Sequence, residues 1–204
     1  MTPAARQVIV LGAGGHAKVV VSTLRAAGYE VLALYDRDPT KAGRELMGVR
    51  IRPQEEVPRC GLAVIGIGGN GTRRRLAEEL PLLEWLTLVH PAAWVDPGVK
   101  LGPGTVVFAG AVVQPDTVIG SHVIVNTGAT IDHDCVVGDF AHLAPGVHLA
   151  GDVHVGAGSF LGVGAVTIPG TRIGSWTTVG AGGVVVRNLP DGVKAVGVPA
   201  KPAQ

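Results

Sequence analysis

Residues 119–143 read IGSHVIVNTGATIDHDCVVGDFAHL, and the aliphatic residues Ile119, Val125, Ile131, Val137 and Leu143 fall six apart. The phase runs back to Val95, Leu101, Val107 and Val113. It continues through Leu149, Val155, Leu161, Ile173, Val179 and Val185, and Thr167 alone is not aliphatic. Four residues after each comes a small or β-branched residue, among them Thr117, Val123, Ala129, Cys135, Ala141 and Ser159. Glycine follows the aliphatic residue at every third repeat, as Gly102, Gly120, Gly138, Gly156 and Gly174, eighteen residues apart. Six is then the length of one face and eighteen the length of a full turn. The pattern predicts a three-sided coil, in which each hexapeptide is a short strand with one large side chain pointing inward and a small residue at the corner. Stacked turns ~4.8 Å apart pair as parallel strands, and about five fit between Val95 and Val185. The strands of a sandwich would need loops of varying length, which would break this phase.

Residues 188–204, with Pro190, Pro199 and Pro202, leave the pattern and are expected to cap the open end of the coil, occupying 95–187. Residues 86–94, containing His90-Pro91, read as a connector, with His90 structural. Residues 1–85 read as an α/β unit. A strand at 8–11 runs into Gly12-Ala13-Gly14-Gly15-His16-Ala17, a helix follows at 18–27, and a second strand at 31–35 ends at Asp36. Gly12, Gly14 and Ala17 match the G-x-G-x-x-G/A fingerprint of nucleotide-binding turns, with the acidic residue about twenty positions on. A third strand at 62–67 leads into Gly68-Gly69-Asn70 and a helix from near Thr72. Two glycine-rich strand ends opening on one edge of a parallel sheet favour a ligand there. The unit is half of a dinucleotide domain, and suits a mononucleotide better than NAD.

Composition narrows the function classes. The 204 residues are 47% hydrophobic and 16% charged, with net charge +1, so there is no broad basic field for nucleic acid; Arg73, Arg74 and Arg75 form one local cluster. Every apolar stretch is interrupted long before the ~18 residues of a membrane span. Residues 1–7 lack the charged and apolar runs of a signal peptide, and a cytoplasmic protein is expected. Cys60 and Cys135 can make neither a disulfide framework nor a four-ligand zinc site. His142, His148 and His154, six apart, should lie on three different faces, so no metal is expected within one subunit.

His133 stands between Asp132 and Asp134 at the third place of its hexapeptide, while Ile131 and Cys135 point inward. Its imidazole must project outward. Flanking carboxylates hold such a ring in one tautomer and make it more basic, as a general base near neutral pH requires. On spacing alone, a solvated surface histidine is the commoner case.

The repeat resembles that of the hexapeptide acyltransferases. Residues 126–135 (NTGATIDHDC) with His142, the glycine-rich residues 12–20, and residues 197–201 (GVPAK) together resemble the bacterial nucleotide-sugar acetyltransferases related to the sialic acid O-acetyltransferases, over essentially the whole chain. The resemblance implies a left-handed parallel β-helix after a Rossmann-like half domain. It implies homotrimers with active sites between subunits, acetyl-CoA as cosubstrate, and a nucleotide-linked amino sugar on UDP or GDP as acceptor.

By position, the resemblance makes His133 the base and Asp134 its acidic partner, where relatives commonly have Glu; Asp132 could share that role. It places His142 near the acyl-CoA thioester, and Val163 and Ala181 along the CoA channel, where relatives usually have Gly at the second of these. Gly14, Gly15, His16 and Asp36 would hold the nucleotide sugar, and Arg73 its diphosphate. The expected reaction is direct acetyl transfer to a 4-amino group in surface glycan biosynthesis, with no acyl-enzyme, since Cys135 faces inward. O-acetylation of a sugar hydroxyl, or a non-enzymatic nucleotide-binding trimer, are the competing readings.

Overall fold

The computed structural model describes residues 6–203. Residues 1–5 of the expected leaderless N-terminus, and Gln204 of the expected cap, lie outside the described residues. Strand β1 (Gln7–Leu11) leads into helix α1 (Gly15–Ala26) and β2 (Glu30–Asp36). A short hairpin of β3 (Glu45–Leu46) and β4 (Val49–Pro53) follows, then β5 (Gly61–Ile65), α2 (Asn70–Glu79) and β6 (Leu83–Trp85). The sheet order is β3-β4-β2-β1-β5-β6, parallel except for β3. Strand β1 pairs with β2 on one side and β5 on the other, so the chain reverses direction across the sheet there. A crevice at the carboxyl ends of such strands is where α/β sheets take their ligands.

The six-residue phase becomes three parallel sheets, the faces of a prism. Strands of two residues recur every eighteen positions: Val106↔Ile124↔His142↔Phe160↔Thr178 on face one, Val112↔Thr130↔His148↔Val166↔Val184 on face two, and Val118↔Val136↔His154↔Arg172 on face three. The inward residues Val107, Val125, Leu143, Leu161 and Val179 are fully buried. Buried hydroxyls at the corner positions are satisfied by the next rung: Thr105 donates to the Gly120 carbonyl at 2.7 Å and Ser159 to that of Gly174 at 2.6 Å. The eighteen-residue glycine series has a steric cause, because a Cβ on Gly138 would stand 2.6 Å from the Ala157 nitrogen of the next rung.

The coil is longer than expected and begins earlier. Leu88–Val89 pairs with Val106–Val107, so residues 86–94 are not a free connector but the start of the first turn. Val89 is in phase with Val95, and Pro91 occupies the same corner column as Pro145. At the other end Lys194–Val196 adds one more parallel strand to face one and Lys201–Pro202 pairs back against it antiparallel, while Leu189, Ala195 and Ala200 fill the open end of the core.

Face one carries the α/β domain. Val106, Phe108 and Ile124 are buried together with Ala17, Val20 and Val21 of α1. The equivalent outward residues of face three, Val118 and Val136, are exposed. Among the described residues no helix is long and apolar enough to cross a membrane.

Candidate active site

The turn between faces two and three holds Asp132, His133 and Asp134, on the edge of the prism opposite the face that carries the domain. His133 is 61% exposed at its side chain. Its Nδ1 lies 2.7 Å from Asp134 Oδ2. A carboxylate can only accept, so Nδ1 carries the proton and Nε2 keeps a free lone pair. The two acids divide their work: Asp132 Oδ1 accepts the backbone N–H of His133 at 2.8 Å, and Asp134 holds the ring. Asp134 has φ 62°, the left-handed conformation that this corner of the coil also takes at Asp116, Asp152 and Gly170. The hydrogen bond that His133 donates to Asp134, then the charge of Asp132, raises the His133 pKa above its usual value.

Cys135, next along the turn, is buried. Its Sγ lies 3.2 Å from the Ala150 carbonyl, and burial raises its pKa, so it has neither the exposure nor the thiolate of a nucleophile.

His142 lies elsewhere, on face one beneath the domain, and is buried. Its Nδ1 donates to the Gly68 carbonyl at 3.2 Å, which leaves Nε2 to accept from Asn126 Nδ2 at 3.0 Å. Both ring nitrogens are thus used by the protein, and Asn126 is a partner that sequence reasoning left without a role. Val163 and Ala181 are exposed at the corner between faces one and two, in the column that continues from Pro145.

In the domain, Gly14 and Gly15 are exposed and a Cβ on either would meet nothing within 4 Å, so packing does not require glycine there. Gly12 is different: with φ +104° its Cβ would strike Ile67. Asp36 accepts the Ala13 N–H at 2.7 Å, the Asp38 N–H at 2.9 Å and the Lys41 ammonium at 3.0 Å. Burial alone would raise its pKa; these donors hold it below the usual value. Its carboxylate lines a crevice of about 140 Å³ with Gly12, Tyr35, Arg37, Gln54, Ile67 and Thr72. Arg37, Gln54 and Thr72 carried no spacing signal.

Two expected nucleotide-sugar residues are placed otherwise. His16 packs edge-on against Phe108 at 5.4 Å and lies 6.0 Å from His142, between the domain and the coil. Arg73 is buried, and it corrects the expectation of a diphosphate ligand. Its Nε donates to the His122 carbonyl, Nη1 to Gly68 and Ile67, and Nη2 to Phe140 and Ala141, at 2.7–3.4 Å. All five N–H groups are committed, and none remains for a phosphate. Burial lowers its pKa to about 9, so it stays charged at neutral pH.

His16, His122 and His142 surround this cation, and burial followed by the charge of Arg73 lowers each pKa to about 4. The unfolded chain takes protons on these rings near 6.5 while the fold refuses them until about 4. Stability is therefore expected to be full above pH 6.5 and to fall as pH drops towards 4. Melting temperatures across pH 4.5–7.5 check this, and a flat profile over that window would refute it.

The family model for the PglD N-terminal domain matches residues 7–80. A UDP-N-acetylbacillosamine N-acetyltransferase of Bacillus subtilis is 40% identical over 112 residues, or 51% of this chain; the match spans about half of that protein's length, 52%. The crystal structure of PerB from Caulobacter crescentus, in complex with CoA and GDP-perosamine, superposes with TM-score 0.92 at 44% identity, covering 97% of each chain. The acetyltransferase domain of PglB from Neisseria gonorrhoeae gives TM-score 0.89 at 36% identity, covering 97% of this chain and 100% of that one.

Proposed function

The chain belongs to the PglD-like nucleotide-sugar N-acetyltransferases, built on the hexapeptide-repeat β-helix, and from that premise we propose that it moves an acetyl group from acetyl-CoA to the amine of a nucleotide-linked 4-amino sugar. The observation that carries this reading is the exposed His133–Asp134 pair, with Nδ1 tied at 2.7 Å and Nε2 free. The acceptor amine attacks the thioester carbonyl carbon as Nε2 takes its proton. The tetrahedral oxyanion, held by a backbone N–H, then collapses, the C–S bond breaks, and the CoA thiolate recovers the proton from the imidazolium. No acyl-enzyme intervenes.

We place the nucleotide at the Asp36 crevice, with its phosphates over the open Gly14-Gly15 turn at the start of α1, where no side chain caps the helix. The acyl-CoA runs past Val163 and Ala181, with His142 behind it. His133 of the same chain stands across the prism from this ensemble, so a second copy must bring its own His133 edge to the crevice. Such a head-to-tail contact closes into a ring, and a homotrimer suits a three-sided coil. Acetyl-CoA and nucleotide sugars as substrates suit a cytoplasmic enzyme that supplies surface glycan assembly.

The test is thiol release from acetyl-CoA with UDP- and GDP-linked 4-amino sugars and their 4-hydroxy counterparts. Turnover with an amino sugar at least 100-fold faster than with its hydroxy partner is the expected result, of the order seen when a site built around one polar group meets an analogue without it. Equal or faster turnover of the hydroxy sugar would replace this reading by O-acetylation.

A further inference from the structure

The His133 ring does not stand free above the coil; it lies on the next rung. A Cβ built on Gly151, eighteen residues on in the same edge column, would come within 2.7 Å of both Cε1 and Nε2 of His133 and 3.3 Å of Nδ1. These three ring atoms are the nearest neighbours of that position. Gly151 does not have a left-handed backbone, so its conformation does not call for glycine. Nor does the edge itself. At the equivalent place in other turns the column carries Pro97, Pro115 and Pro169, and glycine appears only one rung beyond the histidine.

We propose that Gly151 is a positioning residue for the transfer reaction: its bare Cα is the shelf on which the His133 imidazole rests, holding Nδ1 on Asp134 and Nε2 towards the incoming amine. This rests on the reading of His133 as the base. The backbone ties the two levels as well, since the Asp152 N–H donates to the His133 carbonyl at 3.0 Å and the Gly170 N–H to the Gly151 carbonyl at 3.0 Å. With the main chain of both rungs fixed, a methyl at 151 can be accommodated only by the ring. The ring is solvent-exposed and can swing outward, so the substitution breaks its alignment without breaking the coil.

Gly151→Ala tests this. Its kcat is expected to fall roughly 10- to 100-fold, the scale of a reacting group displaced by about 1 Å, with KM for both substrates and the melting temperature unchanged. A merely structural role would not move the titration of the His133 ring. In labelled protein followed by NMR, that pKa is expected to drop in Gly151→Ala as Asp134 loses the ring. In a His133→Ala background the added methyl meets no imidazole, and Gly151→Ala is expected to have no further effect on rate, a fully non-additive cycle. Gly151→Pro, which restores the residue found at 97, 115 and 169, is the second variant, and it should behave as the alanine does.

Wild-type kcat and an unmoved His133 titration in both variants overturn the proposal. So does a rise in KM alone, which would make Gly151 part of a binding surface instead. If His133→Ala keeps wild-type turnover, the base assignment falls, and the ring titration still decides whether Gly151 sets the ring.

Discussion

Replacing His133 by alanine is expected to lower kcat by roughly 10²- to 10⁴-fold, the range for removing a positioned general base, and to leave the melting temperature unchanged, since the ring is exposed. Asp134→Asn separates the base from its tuning. Asparagine tolerates the left-handed backbone at 134, so the fold keeps its turn and only the charge is lost. Without that carboxylate the His133 pKa falls, and the unprotonated ring becomes available at lower pH. The acid limb of kcat/KM is therefore expected to shift to lower pH in Asp134→Asn, while the plateau drops because the base is weaker. Rate profiles over pH 5.5–9 check both effects. An acid limb that stays in place would remove Asp134 as the ring's partner, and full activity in His133→Ala would remove the base.

Arg73→Met is expected to destabilise the protein by about 3–5 kcal/mol, although Arg73 does not touch the His133 turn and meets the Asp36 crevice only through the backbone carbonyl of Ile67. Methionine keeps the apolar stem and loses every donor. The carbonyls of His122 and Phe140 on the coil and of Ile67 in the domain then lose their donor, while Ala141 keeps the Ile124 N–H and Gly68 keeps His142 Nδ1, and each orphaned buried acceptor costs about 1–3 kcal/mol before solvent enters. Arg73→Lys should recover only part, because three donors on a point charge cannot serve a planar set of five. Urea unfolding gives the value. A Met variant within 1 kcal/mol of wild type would mean that Arg73 does not clamp the domain to the coil.

The sequence disclosed what repeats and concealed what does not. The six-residue phase specified the prism, the inward Cys135 and the outward His133, because each side chain's direction follows from its place in the hexapeptide. Val89 obeyed the same phase, yet His90-Pro91 disguised it; a proline is tolerated at that corner just as Pro145 is, so it does not mark the end of a coil. Strands β3 and β4 left a weaker trace, since Val49 and Ile51 alternate with arginines over only five residues. Arg73 looked like its neighbours Arg74 and Arg75. One signal was there: 73 is three positions before Leu76, so both fall on the buried side of α2. The pairing of His142 with Gly68 joins residues 74 positions apart across two domains, which no local pattern encodes, whereas the eighteen-residue period does stack Gly151 on His133 and leaves unsaid only that the ring lies down on it.

The Arg73 clamp has a geometric consequence. Its coil partners at 122 and at 140–141 bracket residue 133, so the domain and the imidazole are indexed to the same storey of the tower. Successive storeys are ~4.8 Å apart, and floors added or lost beyond Val179 change the tower's height without moving either one. The vertical alignment of the two is thus a whole number written into the chain, indifferent to how tall the tower grows.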